Sequence, residues 1–145
     1  MNWSTELRAF RLVIAALVAA IALLIGSIAG FGGLDAMAAL VGARTPGDVD
    51  PALRNHLRAF SVVFAGFGLL IGWTALALEE RKTGFRIAVA VIVAAGLARV
   101  TGWIVDGAPG ALATLFLTME LVLFPLLLAW HTRLLRLARE HRGTA

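Results

Sequence analysis

No cysteine occurs anywhere in the chain. That absence excludes disulfides, thiolate metal sites and thiol catalysis, and it makes the fold indifferent to the redox state of its compartment. Catalytic signatures are missing too: there is no G-x-S-x-G, no P-loop and no G-x-G-x-x-G between a strand and a helix. Gly66-Phe67-Gly68 lies inside an apolar run, where it serves packing rather than phosphate binding. Histidine is scarce, and His56, His131 and His141 include no pair at the i, i+4 spacing of a helix-borne ligand set. A metal site is therefore not expected, nor are two axial haem ligands inside a bundle, and no cofactor is expected.

Charge is also scarce where it matters. The 145 residues are 60% hydrophobic, against about 45–50% for an ordinary soluble domain, and the mean hydropathy is +0.88. The excess is gathered into long runs almost free of charge, the pattern of a chain built for lipid. Four spans follow, at about 10–29, 53–78, 85–105 and 111–131. At roughly 20 residues each they leave no room for a separate soluble domain. The expected fold is all-α, a four-helix transmembrane bundle running up-down-up-down, and the whole chain, 1–145, is one transmembrane domain.

The first apolar run has some features of a signal peptide, with Arg8 and Arg11 before it and Ser27-Ile28-Ala29 after it. It is read instead as a helix retained in the membrane. Between the first two spans lies a loop, 30–52. Leu34 to Val41 is expected to form a short helix at the interface, and Thr45-Pro46-Gly47-Asp48 is turn chemistry. Asp50-Pro51 reads as an N-cap and a first-turn proline, and Thr83 as the N-cap of the third span. Asp106-Gly107-Ala108-Pro109-Gly110 makes a tight turn between the last two. Leu7-Arg8-Ala9-Phe10 recurs as Leu57-Arg58-Ala59-Phe60, a coincidence expected of an Ala/Leu-rich chain.

Net charge is +4, with 13 Lys+Arg against 9 Asp+Glu. The basic residues sit at the ends of the apolar runs, so they argue for membrane topology and lipid head groups and against nucleic acid. One side carries Arg8, Arg11, Arg81, Lys82, Arg86, Arg133, Arg136, Arg139 and Arg142; the other carries only Arg44, Arg54 and Arg58. The asymmetry places both termini, with the basic tail 132–145, in the cytoplasm and loop 30–52 in the periplasm, in the inner membrane of a bacterium. The tail arginines are read as contacts to anionic lipid. Trp3, Trp103 and Trp130 are assigned to the interfacial belts, and Trp73 to packing inside the bundle. Pro125 is expected to kink the fourth helix.

Two ionisable residues lie within spans, Arg99 in the third and Glu120 in the fourth. A charge at the centre of an inserted helix costs about 2.5–3.5 kcal/mol, so such residues face the bundle interior and pair. The depths of the two residues on antiparallel neighbours differ by about 5 Å, within an arginine's reach, and a direct or water-mediated Arg99–Glu120 contact is expected. In the second span, Arg54, Arg58, Ser61, Ala65, Gly68 and Gly72 fall on one polar-then-small stripe. Gly68 and Gly72, four residues apart, admit a close neighbouring helix. In the third span, Gly96, Arg99, Trp103 and Asp106 share a face, with Gly96 at the packing position. The candidate ligand-binding layer is therefore Arg58, Arg99, Trp103 and Glu120. The alternative is a closed Arg–Glu pair that only fixes helix packing and register.

Arg54-Asn55-His56-Leu57-Arg58-Ala59-Phe60, Gly96-Leu97-Ala98-Arg99, Gly107-Ala108-Pro109 and Glu120-Leu121-Val122-Leu123-Phe124-Pro125 together resemble the bacterial four-helix membrane proteins grouped as domain of unknown function 4345. The resemblance runs from the first span to about Trp130. It implies a four-helix architecture in which the Arg99 and Glu120 positions belong to the recurring pattern. It implies no activity and no cofactor.

Three functions stay open at this stage. The leading one is a non-enzymatic membrane module, an accessory subunit or a binder of a lipid or other amphiphile, working through the polar layer. The second is a small proton-coupled transporter using Glu120, and the third an enzyme acting on a lipid. Membrane lipids are the expected partners, with a homo-oligomer or a larger membrane complex left open.

Overall fold

The computed structural model describes residues 3–40, 47, 49–107 and 110–143. Among the described residues every regular element is helical: α1 (Trp3–Leu17), a π-helical stretch Val18–Ile25, a π-helical turn Ile28–Gly32, α2 (Gly33–Leu40), α3 (Pro51–Leu76), α4 (Lys82–Asp106), α5 (Ala111–Thr118), a π-helical turn Met119–Leu123 and α6 (Phe124–Gly143). The expected turn residues Thr45, Pro46 and Asp48, with Val41, Arg44, Ala108 and Pro109, lie outside the described residues.

Among the described residues, three helices are long and apolar enough to cross a membrane: Pro51–Leu76, Lys82–Asp106 and Ala111–Arg142. The first expected span differs. It is helical from Trp3, but its apolar half passes through the two π-helical segments and does not form an α-helix of that length. Many large apolar side chains of the long helices face outward. Phe60, Ile104, Val105 and Leu126 are all exposed, an arrangement water would penalise and hydrocarbon accepts.

The helix ends show where local chemistry decides. Asp50 caps α3 as expected: its carboxylate accepts from the Ala52 N–H at 2.7 Å, and Pro51 opens the helix. Thr83 does not cap α4. Arg81 holds the cap position and Phe85 N–H already donates to its carbonyl at 3.2 Å, so Thr83 is inside the first turn. The end of α4 needs glycine: Gly107 has φ 99° and returns its N–H to the Trp103 carbonyl at 3.1 Å.

The chain forms two compact units, Leu12–Trp73 and the combination of Met1–Arg11 with Thr74–Ala145. The Leu12–Trp73 unit is packed through small residues. A Cβ on Gly68 would overlap Ala22 Cβ, one on Gly26 would lie 2.9 Å from Ala65 Cβ, and one on Gly72 would lie 3.2 Å from a Val18 methyl. The descending partner numbers (Val18 with Gly72, Ala22 with Gly68, Gly26 with Ala65) describe an antiparallel helix pair in close contact. At the end of this unit, Arg54 pairs with Asp35 at 3.0 Å.

The second unit is held by charge and aromatic rings. Glu6, buried, pairs with Arg133 at 2.8 Å, and Arg142 pairs with Glu79. Arg11 donates to the carbonyls of Ala75 (3.2 Å) and Leu76 (2.8 Å), satisfying the end of α3. His131 stacks on Phe85 with ring centroids 4.4 Å apart, and Phe10 meets Trp130 edge-on at 5.3 Å.

Candidate functional site

The site is built from α4 and the helix that begins at Ala111. Gly96 lets the two approach. A Cβ there would stand 2.7 Å from Leu121 Cδ2 and 2.9 Å from Glu120 Cβ, so any larger residue would drive the helices apart. Three residues further on the same face, Arg99 reaches across. Its Nε donates to both oxygens of Glu120, at 3.1 Å to Oε1 and 2.9 Å to Oε2. The expected contact is therefore direct.

The two partners are unequally shielded. The Glu120 side chain is 5% exposed and that of Arg99 46%. Because Nε takes both carboxylate oxygens, the outer fork of the guanidinium, Nη1 and Nη2, makes no hydrogen bond among the described residues. The Arg99 Cζ stands 5.8 Å from the Phe116 ring centroid, which adds a cation–π contact. The group thus has a buried anchor on one edge and up to four unused N–H donors on the other.

Glu120 sits in the π-helical turn Met119–Leu123, where a one-residue change of register is tolerated at a cost and often serves a site. Pro125 follows two residues after this turn. It supplies no N–H to the helix ladder, and the winding just before it is π rather than α.

The remaining residues of the expected layer are placed as follows. Trp103 is one turn beyond Arg99 on α4, 43% exposed. Arg58 belongs to the Leu12–Trp73 unit. There its Nη1 donates to the Phe31 carbonyl at 2.7 Å, and a Cβ on Gly33 (φ 76°) would lie 2.6 Å from its Nη2, so only glycine admits the guanidinium so close. Trp73 does not pack inside. It is 51% exposed, because Ile71, Thr74 and Ala75 occupy the inward positions of that turn. The Glu6–Arg133 pair and the buried His131 were not anticipated from sequence. For His131 the periodicity of the tail held the signal: Leu134, Leu135 and Ala138 make an apolar stripe with His131 one turn before it, while Arg136 and Arg139 face out.

Among the described residues, regular elements that are all helical, three helices of membrane length and an Arg–Glu pair buried on its carboxylate side define the class: a helical protein of membrane type with a polar site between helices. The chain belongs to the family described as domain of unknown function (DUF4345), whose model matches residues 10–131. That match contains Arg99, Glu120 and all the residues that position them. Comparisons with curated proteins and with solved structures find no match.

Proposed function

We propose that this chain is a multi-pass protein of the bacterial inner membrane that acts without catalysis, as an amphiphile-binding module or accessory subunit, through the polar site at Arg99 and Glu120. The single observation that carries the reading is the one-edged pairing of Arg99. A pair serving packing alone is best closed, with both guanidinium edges satisfied, since unmet donors in hydrocarbon are costly. Here only Nε is used, and the guanidinium is nearly half exposed. Trp103, on the same face, supplies an aromatic wall. The first helical run completes a fourth span, and the arginines at its start and in the tail hold both termini in the cytoplasm. Arg58, in the Leu12–Trp73 unit, holds the exit of the first run at Phe31 and Gly33.

Native mass spectrometry of protein extracted in mild detergent tests the reading. Wild type is expected to carry a stoichiometric amphiphile that Arg99→Gln loses while remaining folded. A bare wild-type chain sinks it and leaves a packing role.

The second reading, a proton-coupled transporter, is favoured by one observation, the π-helical turn at Glu120. It requires substrate flux in vesicles that Glu120→Gln abolishes.

A further inference from the structure

We infer that the group recognised by Arg99 is a neutral carbonyl acceptor carried within the hydrocarbon layer, of the kind presented by a prenylated quinone, rather than a second anion. The inference rests on the amphiphile-binding reading above and names its ligand class.

Charge comes first. Arg99 and Glu120 sum to zero, and the carboxylate lies 2.9 Å from Nε. A full negative charge seated on the outer fork would stand on the far side of the same guanidinium. Its attraction to Arg99 would be offset by repulsion from Glu120, in a medium where both are strong and desolvation of the anion is expensive. A carbonyl oxygen supplies the missing acceptor with no net charge. The fork offers donors only, so the partner must accept.

Depth comes second. α4 is 25 residues long, about 37 Å, so it overhangs a hydrocarbon layer of about 30 Å by only a few ångströms at each end. Arg99 lies about 10 Å along the helix from Asp106, and Glu120 about 13 Å from Ala111. With Nε fixed on Glu120, the guanidinium is held well inside the hydrocarbon boundary. Phosphates and glycerol ester carbonyls lie at or outside that boundary, whereas a quinone ring on an isoprenoid tail resides within it. The neighbours suit a flat ring: Phe116 stands 5.8 Å from Cζ, and Trp103, one turn on along the same face, is exposed.

The carbonyl has two sources, a quinone or the ester linkage of a diacyl lipid, and the experiment separates them. Wild type and Arg99→Gln are placed in nanodiscs of ether-linked phosphatidylcholine, which has no ester carbonyl. They are titrated with a short-chain ubiquinone analogue, or with dioleoyl phosphatidylglycerol, and bound mass is read by native mass spectrometry. The quinone analogue is expected to bind wild type saturably at one per chain, and Arg99→Gln to weaken it by about tenfold, the loss of a charge-assisted hydrogen bond. The double variant Arg99→Gln/Glu120→Gln, which removes both charges together, is expected to fold and to bind as weakly. Specific binding of the ester lipid but not the quinone overturns this inference and leaves amphiphile binding intact. Binding of neither overturns both. Quinone binding that is equal in wild type and the double variant overturns the inference too, since the adduct then sits elsewhere.

Discussion

The unit Leu12–Trp73 and the unit formed by Met1–Arg11 and Thr74–Ala145 solve the same problem by opposite means. In the first, helices meet where side chains are nearly absent, at Gly26, Gly68 and Gly72, and its ion pair, Arg54 with Asp35, sits at one end. In the second, the closest approach is at Gly96, and beside it charge is carried into the apolar part of the helices, as Arg99 with Glu120. Lipid gives helices no hydrophobic reason to associate, so they rely on close van der Waals packing or on polar contacts. Along Gly26, Gly68 and Gly72 the first unit relies on close packing, and its polar contacts, Arg54 with Asp35 and Arg58 with the Phe31 carbonyl, gather at one end. The second adds a polar contact that packing does not require, and that excess is why the candidate site lies there.

The comparison breaks most easily at Gly68. Gly68→Leu has no space against Ala22 and is expected to cost about 3 kcal/mol, read as a lower unfolding midpoint in detergent. Gly66→Leu, two residues away with open space around its Cβ position, is the control and is expected to stay within about 0.5 kcal/mol. Equal effects at the two positions would remove the close-packing account.

Next in size is the pair in the other unit. Glu120→Leu strands Arg99 and is expected to cost about 2–3 kcal/mol, whereas Arg99→Leu/Glu120→Leu recovers most of that, because two charges leave together. If the double variant is as unstable as the single, the pair does more for the fold than an isolated polar contact explains. The coupling from the complete cycle sharpens the contrast with the first unit, where no such coupling is expected.

A smaller effect is expected at the end of the first unit. Asp50→Ala removes the acceptor of the Ala52 N–H and should cost about 1 kcal/mol, with Asp50→Asn recovering most of it. No recovery would mean that the carboxylate charge, not the cap, matters there.

Topology is tested without any stability change. The absence of native cysteine gives labelling a clean background. Single substitutions Gly47→Cys and Arg139→Cys are expected to react with an impermeant maleimide from opposite sides of the membrane. Reaction from the same side would overturn the proposed orientation.

Much of this was legible beforehand. The long apolar helices, the capping role of Asp50, the end of α4 at Gly107 and the Arg99–Glu120 contact all follow from interactions local in sequence or forced by the cost of an intramembrane charge. Trp73 was misread because its side chain is amphipathic and suits either a core or a lipid face. Thr83 was misread because the helix begins earlier than its residue type suggests: Arg81 holds the N-cap position and Lys82 is the first helical residue. Glu6 was missed because its partner, Arg133, is distant in sequence and nothing local marks it.

What the sequence by itself determined is the class of protein: hydropathy, helix periodicity and charge placement are sums over neighbouring residues, and the chain carries them whatever its packing. The tertiary structure alone decided which edge of Arg99 is used, that Gly96 brings Glu120 within reach of it, and that Arg58 serves Phe31 and Gly33. Those outcomes depend on the distance and rotation between helices far apart in the chain, which no local pattern encodes.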